Sequence, residues 1–203
     1  MGRRTQAERT DATTAQLVAA AERLFGRDGY AATSIDAVAA AAGVTKGAAY
    51  HHFPGKAALF QVVFVRELER VTAALDAVAA EEPDPWSALR RGSRTFLAHC
   101  LEPGFRQVVL LDGPSVLGWD KVREIEYGCL LRVLTDAVRS ASADGTMADG
   151  DPTARARLLF GALCEGGMLL ARSDDPAAAL ATVAAEAERL LAALARGPGV
   201  VPS

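Results

Sequence analysis

The stretch TSIDAVAAAAGVTKGAAYHHFPGK, Thr33 to Lys56, decides the fold class of this chain. It holds two short helical patterns with a glycine between them. The first opens at Thr33 or Ser34, where Thr33-x-x-Asp36 has the form of a capping box with Asp in place of the usual Glu or Gln. Ile35, Val38, Ala39 and Ala42 then recur at helical spacing and make an inward stripe. Gly43 turns the chain, Val44 fills the angle between the helices, and Thr45 caps a third helix running to about His52. Ala39 and Gly43 are small, so the two helices can cross in contact. Phe53-Pro54-Gly55 ends the third helix. The pattern is that of a helix-turn-helix.

The third helix carries polar and aromatic groups where a core helix would carry leucines. Only Val44, Ala49 and Phe53 are clear inward anchors, so most of Thr45, Lys46, Gly47, Ala48, Tyr50, His51 and His52 must face outward. Their hydroxyl, ammonium, phenol and imidazole groups can donate hydrogen bonds, and the helix N-terminus favours phosphate. Gly47 and Ala48 lack bulk, which lets the backbone settle close to base edges in a major groove. A solvated surface helix with two incidental histidines would carry the same residues, and the pattern alone leaves that alternative open.

Upstream, residues 1 to about 9 are polar and read as a flexible arm. Leu17, Ala20, Ala21, Leu24 and Phe25 then mark one apolar helix face. Thr13-x-x-Gln16 is a candidate cap, with earlier starts open at Thr10 or Asp11, and Gly29 supplies the left-handed position that ends this helix. Downstream, Lys56 begins a long fourth helix in which Leu59, Phe60, Val63, Phe64, Leu68, Val71 and Leu75 keep helical spacing. Asp84-Pro85, Asp151-Pro152 and Asp175-Pro176 each place an Asp cap before Pro at the first helical position. Pro103-Gly104 and Gly113-Pro114 bound a short helix containing Val108 to Leu111. Trp119 to about Ser142 reads as a further helix, and Ala143 to Gly150 as a mobile polar loop. The expectation is an all-α chain of about nine helices. A three-helix head over residues 1–56 precedes a larger helical domain over residues 57–203.

Composition points the same way. Half of the 203 residues are hydrophobic but only 6% are aromatic, and with alanine dominant this suits stacked helices and excludes a sandwich or barrel. A net charge of −3 argues against a protein that coats nucleic acid non-specifically. The charge is uneven, however. Seven of the 22 Lys and Arg but only five of the 25 Asp and Glu lie in residues 1–56, so a mildly basic head precedes an acidic body. Three widely spaced cysteines, Cys100, Cys129 and Cys164, fit neither a disulfide framework nor a metal knuckle. No apolar segment follows Arg3 and Arg4, and no apolar run is long enough to cross a bilayer. A cytoplasmic protein with no membrane partner, no metal and no cofactor is expected.

The segment TSIDAVAAAAGVTKGAAYHHFPGKAALF resembles the DNA-binding signature of the TetR family of helix-turn-helix transcriptional regulators. That signature has a Thr-started helix followed by A-x-x-x-G-V-[ST]-x-[GA]-x-[LIVA]-Y-x-[HY]-F-x-x-K. Thr33, Ala39, Gly43, Val44, Thr45, Gly47, Tyr50, His52, Phe53 and Lys56 match it in register, over about a quarter of the chain. Ala49, where leucine or isoleucine is commoner, and Gly55, where serine or asparagine is usual, depart from it. The resemblance implies that Thr33, Thr45, Tyr50, His51 and Lys56 hold phosphates, while Lys46, Gly47 and Ala48 lie nearest the bases. It further implies a repressor that binds a palindromic double-stranded DNA operator as a homodimer and is released by a small-molecule effector.

For the body, the resemblance implies an all-helical ligand-sensing and dimerisation domain whose last two long helices pair with their copies. The residues support a buried role for both. Leu158, Leu159, Ala162, Leu163, Gly166, Leu169 and Leu170 on one, and Leu180, Val183, Ala184, Ala187, Leu190, Leu191 and Leu194 on the other, are more apolar than one buried face requires. Gly161, Gly166 and Gly167 would admit close partner helices, although an intramolecular core would use the same residues. Leu110 to Trp119, LLDGPSVLGW, reads either as a switch or as a tight turn between helices.

A pocket for an apolar or aromatic effector is expected between the helices opened by Asp84-Pro85 and Asp151-Pro152. Its candidate residues are Phe96, His99, Cys100, Val109, Trp119, Tyr127, Phe160 and Cys164. Each of them also suits an ordinary core. Asp144 to Asp151 lacks the alternating ligands and terminal glutamate of a calcium loop and reads as a solvated linker. A helical carrier or enzyme with no DNA role is the alternative to a regulator, and the absence of a nucleophile and base pair, paired carboxylates in a motif, a phosphate loop or a dinucleotide loop weighs against it.

Overall fold

The computed structural model describes residues 6–196. Ten α-helices and one π-helix account for the regular structure of these residues. In order they are α1 (Gln6–Ala32), α2 (Ile35–Ala42), α3 (Lys46–His52), α4 (Lys56–Glu81), α5 (Pro85–His99), the π-helix (Phe105–Asp112), α6 (Gly113–Leu117), α7 (Trp119–Gly128), α8 (Leu130–Ala143), α9 (Pro152–Ala171) and α10 (Pro176–Ala192). The only extended pairing among the described residues is an isolated antiparallel bridge between Met147 and Ala195. The all-α expectation therefore holds, and the count is close to the nine helices expected.

The chain divides into two compact units that cut across the expected division at residue 56. One takes the described residues up to Glu67 together with Pro103–Val122, and the other takes Leu68–Glu102 and the described residues from Arg123 onward. The break inside α4 is invisible to a hydrophobic pattern, because the apolar spacing of α4 continues without change from Leu59 to Val71.

In the first unit α1 packs on α2, α2 on α3, and the π-helix on α1. The first helix begins earlier than its capping signals suggested. Residues 6–9, expected as part of an arm, are already helical, while residues 1–5 lie outside the described residues. Near its end the helix kinks at Gly29, where φ is 78° and ψ is 168°. This is not the left-handed helical position but a more extended one that essentially only glycine adopts. Phe25, Tyr30 and Phe60 cluster around the kink, with ring centroids 5.1–5.9 Å apart. Such pairs add about 0.5–1.5 kcal/mol each beyond simple burial.

Gly113-Pro114 does not break a helix as expected. The π-helix runs directly into α6, and the chain turns only at Gly118, with φ 80°. A Cβ on Gly113 would stand 2.7 Å from Phe64 Cε2. Close contact with α4 is the reason for glycine here. Of the two readings of Leu110 to Trp119, the tight turn is thus replaced by continuous helix through Leu117.

In the second unit α8 packs on α9 and α5, and α10 packs on α9 and α5. All three Asp-Pro starts behave as read from the sequence. Asp84, Asp151 and Asp175 accept the backbone N–H three residues on, at 2.8, 2.7 and 3.1 Å. The helix expected over residues 119–142 is in fact two, because Cys129 has φ −121° and ψ −73°. The segment expected as a mobile loop is pinned. Met147 is fully buried within it, and Arg155 donates to the carbonyl oxygens of Ala148 and Asp149.

Candidate nucleic-acid interface and ligand cavity

The helix-turn-helix is built by local chemistry. Ser34 caps α2, its hydroxyl oxygen accepting the Ala37 N–H at 3.1 Å, and Gly43 at φ 70° closes that helix by donating its own N–H to the carbonyls of Ala39 and Ala40. Thr45 caps α3 by accepting the Ala48 N–H at 3.2 Å. Ile35, Val38 and Ala39 of α2, with Ala49 and Phe53 from α3 and its end, are buried as the pattern required. Val44 is half-buried. His52 Nδ1 lies 3.0 Å from Thr14 Oγ1 and ties α3 to α1.

With Ala49 and Phe53 inward, Thr45, Lys46, Gly47, Tyr50 and His51 are exposed and Ala48 is half-exposed. Tyr50 is 47% exposed, an unusual position for a tyrosine in a small helix packed against a core. Thr45 uses its oxygen as a cap, which leaves its hydroxyl hydrogen free to donate. Lys56 donates to the Tyr30 carbonyl at 2.8 Å and sits 4.0 Å from the Tyr30 ring centroid. An ammonium has three hydrogens, so two further donors remain.

Thr33 is the correction to this set. It is 3% exposed, and its hydroxyl donates to the Gly29 carbonyl at 2.8 Å. A buried hydroxyl whose only hydrogen is already donated cannot hold a phosphate. Thr33 instead secures the kink at the end of α1, and Ser34 takes the exposed position beside it. Asp36, read from the sequence only as part of a capping box, belongs to this surface instead. Its Oδ2 lies 2.7 Å from Lys46 Nζ, and both side chains are more than half exposed. The hydrogen bond and charge of Asp36 hold the Lys46 pKa above its ordinary value. No sequence spacing signals this pair, since it crosses the turn between two helices.

The second unit contains a cavity of about 400 Å³ between α4, α5, α8 and α9. Leu89, Phe96, Leu130 and Phe160 form its buried walls, while the lining residues Asp76, Arg132 and Asp136 are exposed. Of the eight expected pocket residues only Phe96 and Phe160 line it. Val109 is buried in the π-helix of the first unit, and Trp119, in that same unit, is 58% exposed. His99 turns to Glu102 at 3.1 Å, and Tyr127 packs edge-on to Phe160 at 5.9 Å with much of its ring exposed. Burial pushes the Cys100 thiol up and the Cys164 thiol up to about 12. Both therefore stay protonated and behave as small apolar groups. Helical spacing identified buried residues such as Phe96, Cys100, Val109 and Phe160, but neither the exposure of Trp119 and Tyr127 nor which residues border empty space.

The α9 glycines also divide. A Cβ on Gly166 would meet Val183 Cγ1 at 2.9 Å and Leu97 Cδ2 at 3.3 Å, so this glycine serves packing within the chain; Gly161 is exposed and meets nothing within 4 Å. Beside Gly161 on the outer face of α9 stand Leu158 and Leu169, 76% and 58% exposed, and Leu190 of α10 is 53% exposed.

A family model described as bacterial regulatory proteins, tetR family, matches residues 17–63, and one described as tetracyclin repressor-like, C-terminal domain, matches residues 86–194. The crystal structure of a TetR-family transcriptional regulator from Pectobacterium atrosepticum is 33% identical and covers 97% of this chain and 100% of its own, with a TM-score of 0.86. The Transposon Tn10 TetC protein of Escherichia coli is 30% identical over 120 residues, 59% of this chain and 60% of that protein. The HTH-type transcriptional regulator CymR of Pseudomonas putida is 46% identical over 70 residues, 34% of each. The chain thus aligns with between one third and three fifths of the length of these two curated relatives. No helix among the described residues is long and apolar enough to cross a membrane. With a helix-turn-helix whose second helix, α3, exposes polar side chains, and with both family models matched, the chain belongs to the TetR family of DNA-binding transcriptional regulators and is not an enzyme.

Proposed function

We propose that this regulator is a repressor that binds a palindromic operator as a homodimer and is released when a small apolar or aromatic effector occupies the cavity of the second unit. The observation that carries the DNA half is the exposure of Thr45, Lys46, Gly47, Tyr50 and His51 on a helix anchored by Ala49 and Phe53. In this reading Lys46, Gly47 and Ala48 lie nearest the bases. Thr45, Tyr50, His51 and Lys56 hold the phosphates, with Ser34 in the place expected of Thr33.

The dimer half is supported by the outer face of α9. Leu158, Gly161, Ala162, Glu165 and Leu169 follow helical spacing and are exposed, and such a face bounded by leucines 76% and 58% exposed suits a second copy. Effector binding then favours a dimer whose heads are spaced wrongly for successive major grooves, and it acts through its difference in affinity for the two states.

The test is a duplex selected by the protein from random sequence, titrated at several salt concentrations, together with sedimentation of the free protein. A selected palindrome, affinity that falls steeply with salt and a dimeric free protein are the expected results. A monomer, or a duplex affinity indifferent to salt, overturns the proposal. Leu158→Glu with Leu169→Glu should dissociate the dimer while leaving the head folded.

A further inference from the structure

The cavity combines aromatic walls with a lining in which carboxylates outnumber cations. Phe96 and Phe160 are buried within it, and the charged residues that line it are Asp76, Glu82, Asp84, Asp136 and a single arginine, Arg132. The carboxylates differ in what already occupies them. Asp84 caps α5 through Ser87, which holds its carboxyl below the usual carboxylate range and keeps it anionic. Glu82 pairs with Arg91 at 2.8 Å. Asp136 lies 3.7 Å from Arg132 and 3.9 Å from Arg139, distances too long for good hydrogen bonds. Asp76 makes no ion pair among the described residues.

From this arrangement we infer that the cavity is built for a lipophilic cation, an aromatic or aliphatic body that carries one positive charge. The inference rests on the proposal that this cavity is the effector site, and names the class of effector. Four lining carboxylates against Arg132 on the lining and Arg91 and Arg139 beside it still leave the mouth a net negative charge, concentrated on Asp76 and Asp84, which have no cationic partner among the described residues, and the apolar walls behind focus that field inward. A cation entering the cavity meets Asp76 and Asp136 at the exposed edge, which attract positive charge, while its apolar body meets Phe96 and Phe160 inside. A carboxylate of the same shape would meet repulsion from the mouth and find only Arg132, which is already beside Asp136. A neutral molecule would gain the walls and nothing from the charges.

Three tetrahedral aromatic probes separate these cases: tetraphenylphosphonium, neutral triphenylphosphine oxide and anionic tetraphenylborate, each titrated calorimetrically into the full chain. The cation should bind at least about tenfold more tightly than the neutral probe, and the anion more weakly than either, with the spread narrowing as salt is raised. Asp76→Asn combined with Asp136→Asn should remove most of the cation's advantage and leave the neutral probe unchanged. Ala88→Trp, which fills the cavity from α5, should abolish binding of all three. If the neutral probe binds as tightly as the cation and both are lost in Ala88→Trp, the charge inference is overturned while the cavity remains the effector site. If no probe binds, or binding survives Ala88→Trp, both the charge inference and the assignment of the cavity are overturned.

Discussion

Asp112 at the end of the π-helix accepts the backbone N–H of Tyr30 at 2.8 Å, joining residues 82 apart in sequence at the point where α1 breaks. The same carboxylate oxygen accepts from Gln107 Nε2 at 3.0 Å. On the other side of Tyr30, its carbonyl takes the Lys56 ammonium. Gly29 has turned the Tyr30 amide out of the helical ladder, and Asp112 restores its partner. The backbone of one residue, Tyr30, is thus held from both sides.

Asp112→Ala should therefore lower stability by about 1–3 kcal/mol, the cost of a partly buried amide left without an acceptor. Asp112→Asn retains a carbonyl acceptor and should lose less. Thermal denaturation of the three proteins checks this order. Equal melting temperatures for the parent and the alanine variant would show that water replaces the carboxylate at no cost.

Gly113→Ala places a methyl group 2.7 Å from Phe64 Cε2, inside a buried contact. Overpacking of this kind costs about 1–3 kcal/mol. Because the clash is with one ring, Gly113→Ala combined with Phe64→Leu should be more stable than the sum of the two single effects allows. Strict additivity in a denaturant double-mutant cycle would place the strain elsewhere.

The contrast between these two glycines shows what was legible in the sequence. Gly43, Thr45 and the Asp-Pro starts act through neighbours one to four residues away, so their spacing reveals them. Gly29 was correctly placed at a helix end, but its backbone conformation depends on Asp112 and was not legible. Gly113 looked like a turn because it precedes proline, whereas its role is contact with Phe64, 49 residues away. The site follows the same rule. The exposed face of α3 was readable from which residues must be anchors, whereas Thr33 was misjudged because its hydroxyl is claimed by the Gly29 carbonyl. The cavity was read least well, since periodicity marks what is buried and says nothing about where packing leaves a gap.

Glu126 is 8% exposed, and burial raises its pKa, with Arg123 at 3.4 Å opposing the shift. A carboxyl raised in the folded state favours folding fully below its ordinary value of about 4.3, and that contribution is lost as pH rises through the folded pKa. Glu126→Gln removes the buried charge. The variant should accordingly be more stable than the parent at pH 8 and lose the advantage by about pH 4. Melting curves across this range decide it, and a parent that is the more stable of the two at pH 8 would mean that the pairing with Arg123 outweighs desolvation.

Lys46, the side chain proposed to lie nearest the bases, is held at 2.7 Å by Asp36 in the free protein and stands 5.8 Å from the Tyr50 ring. The pair is exposed, so its own contribution to folding is small. Its effect on binding is larger in consequence. Lys46 must leave Asp36 to meet DNA, and Asp36 then remains as a bare anion beside the phosphates. Asp36→Asn should therefore tighten binding to the selected duplex by about threefold to tenfold, most at low salt, with little change in melting temperature. In a Lys46→Gln background the same substitution should tighten binding less, because only the repulsion is relieved. Fluorescence anisotropy on the four proteins of this cycle measures the difference. Identical gains in both backgrounds would show that Asp36 repels DNA without restraining Lys46, and unchanged affinity in Asp36→Asn would place the α2–α3 turn outside the DNA contact.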